Sequence, residues 1–158
     1  MISKMIDGIV RQIRQSYGEE KYEIYTEAVK QSLKEPCFSV LCLNPSLRRK
    51  LGPRFLKTVP FIIRYWPKSD NCHGEGMEVL EELQYLLRDI EVDGFKLHSA
   101  EMTGQMVDGV LQFQVTYETF VMEKQEDKDK FESYEIRTGV GGLTDGRTSI
   151  FIIRFDTD

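Results

Sequence analysis

The chain has 158 residues, of which 41% are apolar, with 21 Lys and Arg against 26 Asp and Glu. This length and apolar content predict a single domain with a hydrophobic core, and no window approaches the roughly 20 apolar residues that cross a bilayer. Lys4, Asp7 and Arg11 interrupt the N-terminus. It is therefore not a signal peptide, and we expect the protein to stay in the compartment where it is made.

The first segments predict one helix and two strands. Apolar residues recur every three or four positions from Ile2 to Tyr17, which predicts an amphipathic helix that Gly18 ends. The next segment, KYEIYTEAV, predicts a short strand. After Pro36, the run CFSVLCLN has no helical period and is typical of a strand that is buried on both faces.

A concentration of cations follows in the stretch SLRRKLGPRFLK, residues 46–57, for which we predict a loop that leads into a strand at Phe55. It belongs to a longer segment, from Pro36 to Ser69, that holds seven cations and no carboxylate. The rest of the chain carries 14 cations and all 26 carboxylates. Such a split favours contact with an acidic partner, which can be another copy of the same protein.

A long strand is predicted from Phe55 to Trp66. Four alternate apolar residues share one of its faces: Val59, Phe61, Ile63 and Tyr65. Pro60 lies within this run, and it has no N–H to donate to a neighbouring strand. We therefore expect an edge, a bulge or a strand start at this position.

The segment KSDNCHGEG predicts a loop, and residues 77–90 have the clearest helical pattern in the chain. Apolar side chains lie on one face of this predicted helix, while Glu78, Glu81, Glu82 and Arg88 lie on the other. The pattern is that of an amphipathic helix packed on a core.

A β-hairpin is predicted next, because Asp108-Gly109 is a strong short-turn pair between two alternating arms. In the second arm, LQFQVTYETFVME, large residues occupy odd positions up to Tyr117 and even positions from Phe120. This shift of phase predicts a bulge, or a strand that leaves the sheet to contact something else.

The last segment follows a charged run, EKQEDKDK, and contains two strand-like pieces around a glycine-rich turn. The turn, residues 141–148, matches a phosphate-binding loop except that Arg147 replaces the lysine. A phosphate loop needs a helix behind it, and the residues that follow here are typical of a strand. We therefore predict a hairpin turn.

Together these elements predict an α+β fold, a mostly antiparallel β-sheet with two main helices packed on one face, plus a C-terminal β-prone arm. We expect a domain over residues 1–122, and a charged linker with the β-arm over residues 123–158.

Residues with catalytic or metal-binding chemistry are few. Cys37 and Cys42 would lie on opposite faces of one strand and cannot pair. Cys72 and His73 have only His98 as an obvious additional ligand, too few for a metal site. No nucleophile or pair of carboxylates stands out. We predict a protein that is not an enzyme and has no cofactor and no metal.

Nucleic-acid binding stays open as an alternative. The cationic stretch has Phe55, Tyr65 and Trp66 nearby, and cations bind phosphates while aromatic rings stack on bases. The acidic remainder of the chain would repel a long polyanion, which weakens this interpretation.

An ordered series of short segments runs through residues 1–122. The series is MISKMIDGIVRQI, Tyr25-Thr26-Glu27, Lys34-Glu35-Pro36-Cys37-Phe38, Asn44-Pro45, Leu51-Gly52 with Arg54-Phe55, Pro60-Phe61, Tyr65, Pro67-Lys68 and Val107-Asp108-Gly109-Val110-Leu111. It resembles a family of small proteins from phages and prophages of Gram-positive bacteria, the phage tail terminator proteins. No single segment is diagnostic, and the order is what makes the resemblance specific.

The resemblance implies a structural virion protein without catalytic residues. Such proteins have a compact α+β fold and assemble as a ring, expected to be a hexamer, on the head-proximal end of the tail tube. The ring stops tube growth and offers a docking surface to head-completion proteins at the neck. The protein would be made in the cytoplasm of the bacterial host. A head–tail joining or adaptor protein of similar fold is the alternative.

The resemblance also implies partners. These are other copies of the chain, the tail tube protein, the connector or head-completion protein and, if the tail is contractile, the last ring of the sheath. Genome DNA would meet the protein only in passing through the lumen, and no membrane is involved.

A ring with head-to-tail contacts needs two different complementary patches on each subunit. We expect Arg48, Arg49, Lys50 and Arg54 to form one side of a contact between subunits or with the sheath; the alternative is a solvated loop without a partner. The β-prone arm is an addition to the family pattern. It would be adhesive as an exposed edge, so we expect it to pair with the main sheet, a neighbouring subunit or a sheath subunit. Its candidate contact residues are Ile150, Phe151, Ile153 and Phe155.

Overall fold

The long strands of one sheet dominate the structure, a computed structural model that describes residues 1–18, 21–26, 33–123 and 150–153. These residues form two helices and eight strands. Their bounds are α1 Ile2–Tyr17, β1 Glu23–Tyr25, β2 Cys37–Cys42, β3 Ser46–Arg49, β4 Arg54–Trp66, α2 Cys72–Leu86, β5 Asp89–Val92, β6 Phe95–Val107, β7 Val110–Glu123 and β8 Ile150–Ile153.

The sheet has the strand order β1-β2-β4-β7-β6-β5, with β3 added beside β4 and β8 added beside β7. Neighbouring strands are antiparallel, except that β1 runs parallel to β2 and β8 runs parallel to β7. The predicted α+β fold with a mostly antiparallel sheet is therefore confirmed.

Both helices pack on the same face of the sheet and enclose the core. Met5, Ile9 and Ile13 of α1 recur at a spacing of four and are fully buried, so they form one stripe of the helix. They share a cluster with Leu83 of α2 and with alternate residues of the central strands, such as Phe113. Fully burying each such side chain stabilises the fold by about 1.5–3 kcal/mol. No helix in the described ranges is long and apolar enough to cross a membrane.

The second helix begins earlier and ends earlier than predicted. It starts at Cys72 because the Asn71 side chain accepts a hydrogen bond from the Gly74 N–H and caps the first turn. It ends at Leu86, and the chain then forms β5, which turns at Asp93-Gly94 into β6. Both turn residues have positive φ, 52° and 79°. This second Asp-Gly pair was the signal for the missed strand.

Pro60 lies inside the sheet, yet its missing N–H removes little of the hydrogen bonding between strands. Its carbonyl accepts from the Leu43 N–H at 2.8 Å, so the side of Pro60 that lacks an N–H faces the point where β2 has just ended. The segment between β2 and β3 interrupts the neighbouring strand there. Pro60 therefore sits at a local edge of a central strand, as expected for proline in a sheet.

The phase shift predicted near Tyr117 is not a bulge in that strand. From Leu111 to Met122, β7 pairs with β4 in an unbroken register, and its odd residues stay buried up to Val121. The bulge is in the partner strand β6, between Ser99 and Glu101. Phe120 and Met122 lie on the helix-free face of the sheet, where both are half-buried. The change from odd to even positions therefore reflects large side chains on both faces of β7 and not a bulge in that strand.

Candidate assembly interface

The cationic stretch is a β-hairpin and not the predicted loop. Its first strand, β3, runs antiparallel to the start of β4, with Ser46 opposite Thr58. The Lys50 N–H donates to the Arg54 carbonyl at 2.9 Å and closes the turn. Gly52 in that turn has a φ of 58°, a conformation that glycine adopts without steric cost. The stretch is called the cationic hairpin (residues 46–57) below.

The loop prediction was wrong because β3 has no buried face. All four of its residues are exposed, so no alternation of apolar and polar residues marks it in the sequence. Hydrogen bonding to β4 holds the strand, since both helices pack elsewhere, on β2, β5, β6 and β7.

The hairpin brings the four predicted cations together but divides them between its two faces. Arg48 pairs with Leu56 in the register, and Arg54 with Met122, on the face of the sheet away from the helices. Arg49 lies on the other face, its guanidinium 5.0 Å from the ring centroid of Phe55. Such a contact is a cation–π interaction.

The cations at the tip and on the helix-free face are available to a partner. Arg48, Lys50 and Arg54 are exposed. Within the described part of the chain, none of the three forms an ion pair. Their charge is therefore not neutralised by nearby described carboxylates.

The hairpin also exposes leucines that the sequence reasoning missed. Leu51 at the tip is 80% exposed and Leu47 on β3 is 55% exposed, while Leu43, just before the hairpin, is 38% exposed. They are three of the six large hydrophobic side chains that are exposed in the described residues. A cluster of exposed apolar groups among cations is typical of a protein–protein contact. The signal was a leucine at every fourth position from 43 to 51.

An acidic surface lies on the outer side of α2. Met77, Glu78, Glu81 and Tyr85 are exposed, and their spacing places all four on one side of a helix. Tyr85 is 79% exposed and Met77 is 41% exposed. The helix contains no Lys or Arg. These four residues are called the acidic face of α2 below.

The C-terminal arm is described only in part. The backbone of β8 pairs in parallel with β7, and Ile150 lies opposite Phe120 while Phe151 lies opposite Val121 and Ile153 opposite Glu123. Pairing with the main sheet was one of three expected arrangements. Phe155 and the glycine-rich turn at 141–148 lie outside the described residues.

Buried polar groups fix the two ends of α2. The Tyr65 hydroxyl donates to the Glu75 carboxylate in the first turn, and the Tyr117 hydroxyl donates to the Leu87 carbonyl at 2.7 Å. Burial would raise the pKa of Glu75, but hydrogen bonds from Ser69 and Tyr65 outweigh it and lower the pKa. These contacts position the helix, and with it the acidic face.

A second pair, Asp89 and His98, joins neighbouring strands. Their side chains form a hydrogen bond between β5 and β6. Burial opposes ionisation of Asp89, but the hydrogen bond and the charge of His98 outweigh it and lower its pKa. The pair is a link between the two strands.

The remaining groups do not form a metal or thiol site. Across the described residues, no three His, Cys, Asp or Glu side chains come together to hold a metal ion. Cys37, Cys42 and Cys72 are free thiols. Burial raises the pKa of the Cys37 thiol to about 11, which makes it a poor nucleophile.

One cleft of about 510 Å³ lies beside β1. Its charged lining residues have both signs: Arg14, Lys21 and Lys34 with Glu23 and Glu35. The Lys34 ammonium is 3.9 Å from the Glu23 carboxylate. These charges offset each other, so the described part of the lining favours neither an anion nor a cation.

The aromatic residues that supported nucleic-acid binding are not arranged for it. Tyr65 is 1% exposed and belongs to the core. The Phe55 ring is in contact with Arg49, and Trp66 is half-buried. Base stacking needs exposed rings along a cationic groove, and this set does not provide it.

Residues 4–129 match the model of a protein family described as phage tail terminator protein. No curated protein matches the sequence. Among solved structures, the chain is similar to the PVC sheath/tube terminator of an extracellular contractile injection system in the extended state. That similarity has a TM-score of 0.52 at 12% identity, over 91% of this chain and 64% of that chain.

The chain thus spans less than two thirds of the length of that terminator, and at such low identity the likeness concerns the fold. A second solved structure, at 8% identity, covers 80% of this chain and 99% of that chain with a TM-score of 0.43. That score is too low to support an inference.

Proposed function

The chain belongs to the phage tail terminator protein family, and from this premise we propose that it assembles as a ring on the head-proximal end of a phage tail tube. The ring ends the growth of the tube and offers a docking surface for the head at the neck. Six copies are the proposed number. The family consists of structural proteins, so the prediction that the chain is not an enzyme is confirmed.

The observation that carries the ring proposal is the cationic hairpin. It presents exposed cations and leucines on a chain whose formal net charge is −5. Exposed leucines gain nothing from contact with water, and a head-to-tail ring needs two different complementary patches on every subunit, of which the hairpin would be one. The rest of the chain carries more carboxylates than cations, which supports an acidic surface on a neighbouring copy as the partner of the hairpin.

The further partners follow from the position at the tube end. We infer contacts with the tail tube protein and, where the tail is contractile, with the sheath. The fold shared with a sheath/tube terminator supports this inference. A head-completion protein would dock on the opposite side of the ring, and DNA would pass through the lumen.

The first experiment is a native mass by light scattering on a sizing column, over a wide concentration range. Six copies of the 18.4 kDa chain would give a species of about 110 kDa. Reversing two charges of the hairpin, Arg48→Glu with Arg49→Glu, is expected to shift this species to smaller masses. Unchanged assembly of that variant would remove the hairpin from the contact.

The C-terminal arm supplies a second proposed contact. We place a domain at residues 1–122 and a charged linker with the β-arm at 123–158, and the family match extends to residue 129. Deleting residues 131–158 should impair tail assembly. The deletion removes β8 and exposes the edge of β7 that β8 covers, and an unpaired edge can join to the wrong chain. Tails of normal length and number from the deletion variant would contradict this role.

A further inference from the structure

The cationic hairpin and the acidic face of α2 have complementary surfaces. The hairpin offers Arg48, Lys50 and Arg54 beside the exposed Leu51. The acidic face offers two carboxylates, and it also has large exposed apolar groups in Met77 and Tyr85. Opposite charges around matched apolar groups are what a specific protein interface combines.

One subunit cannot satisfy both surfaces by itself. The Tyr65 hydroxyl, near the C-terminal end of β4, donates to Glu75 at the start of α2, whereas the N-terminal end of β4 forms the second strand of the hairpin. Tyr65 follows Arg54 by eleven positions along β4, a distance of about 36 Å. The end of α2 lies near the level of Val59 along β4, because the Tyr117 hydroxyl donates to the Leu87 carbonyl and Tyr117 pairs with Val59. The helix therefore packs on β6 and β7 at the level of the half of β4 from Val59 to Tyr65, and the hairpin is formed at the other half.

We propose that the acidic face of α2 receives the cationic hairpin of a second copy of this chain. The guanidinium groups of Arg48 and Arg54 pair with Glu78 and Glu81, since an Arg fork can bind a carboxylate through two hydrogen bonds. Leu51 packs against the apolar groups of the acidic face. This contact rests on the ring of the proposed function and names the two surfaces that form it.

The contact can be tested by reversing charge on each side separately. The hairpin variant carries Arg48→Glu and Arg54→Glu, and the helix variant carries Glu78→Lys and Glu81→Lys. Each variant alone places like charges against each other, so the concentration needed for assembly should rise at least about tenfold. An equimolar mixture should assemble again, because the reversed hairpin of one variant then meets the reversed helix of the other.

Two single-site variants control for charge reversal outside the two surfaces, at half the charge change of the test variants. Arg11→Glu on α1 and Glu101→Lys on β6 change exposed residues outside both surfaces. Both should assemble at the same concentration as the unmodified chain. The association of the unmodified chain should also weaken as salt is raised, because exposed charge pairs are screened. Circular dichroism of each variant checks that it is folded.

The outcomes separate this contact from the ring itself. Loss of assembly in each single variant with recovery in the mixture supports the contact. If the unmodified chain assembles and the helix variant assembles equally well, or if the mixture fails to recover, the acidic face is not the receptor and the ring proposal stands. A chain that stays at the mass of one copy at every concentration would overturn both.

Discussion

Replacing Tyr117 with Phe removes a hydroxyl that ties the end of α2 to β7. The hydroxyl donates to the Leu87 carbonyl at 2.7 Å, and the two residues are 1% and 0% exposed. Water cannot replace the lost donor without opening the core, so a buried carbonyl stays unpaired. Such a loss costs about 1–3 kcal/mol of the free energy of unfolding, which lowers the Tm of a chain of this size by about 2–12 °C.

Chemical and thermal denaturation of the dilute protein, below the concentration of any association, would measure this cost. Tyr85→Phe is the matched control, because Tyr85 is 79% exposed and its hydroxyl can bond to water. That substitution should leave the Tm within about 1 °C. Equal stability of the Tyr117→Phe variant and the unmodified chain would refute the view that this hydrogen bond holds the end of α2.

Two more predictions concern contacts that hold α1 and β5 in the fold. Gly8→Ala should lower the free energy of unfolding, because the new Cβ would lie 2.9 Å from the Glu91 carbonyl oxygen; the overpacking cost of about 1–3 kcal/mol outweighs the gain in helix propensity of about 1 kcal/mol. A Tm above that of the unmodified chain would contradict this, and Ser16→Ala on the exposed side of α1 is the control. The lowered pKa of Asp89 means that its pairing with His98 stabilises the fold fully above the unfolded pKa of about 4, and that this stabilisation is lost as the pH falls through the lower pKa of the folded protein. Asp89→Asn should therefore lower the free energy of unfolding in urea at pH 7, and this loss should become progressively smaller below pH 4. An equal loss at pH 7 and below pH 4 would argue against the pairing.

The periodic parts of the fold were predictable from the sequence. Apolar residues recur with a helical period in α1 and alternate in β4 and β7, because each element buries one face. The structure contains these elements with their expected core residues. The Asp108-Gly109 turn was predictable for a different reason: both residues have positive φ, and few residue types accept that conformation.

The start of α2 and the strand β3 could not be predicted, because the contacts that form them produce no periodic pattern in the sequence. The start of α2 is fixed by the Asn71 cap inside a segment that is rich in glycine, and β3 has no buried face. Of the candidate contact residues, the four cations could be found because carboxylates are absent around them. The acidic face of α2 was visible only as the solvated side of a helix, since charge on that side is usual. Its exposed Tyr85 and Met77 become apparent only from the fold.

The long strand β4 connects the two proposed contact surfaces and fixes how they are spaced. At one end it forms the second strand of the cationic hairpin, and at the other end Tyr65 holds the first turn of α2. Between these ends β4 is paired along its length with β7, so it cannot slide along its neighbour without breaking these hydrogen bonds. A ring of identical subunits closes only if each contact repeats the same rotation. The rigid pairing of β4 with β7 therefore provides what closure requires, a constant distance between the surface that projects and the surface that receives.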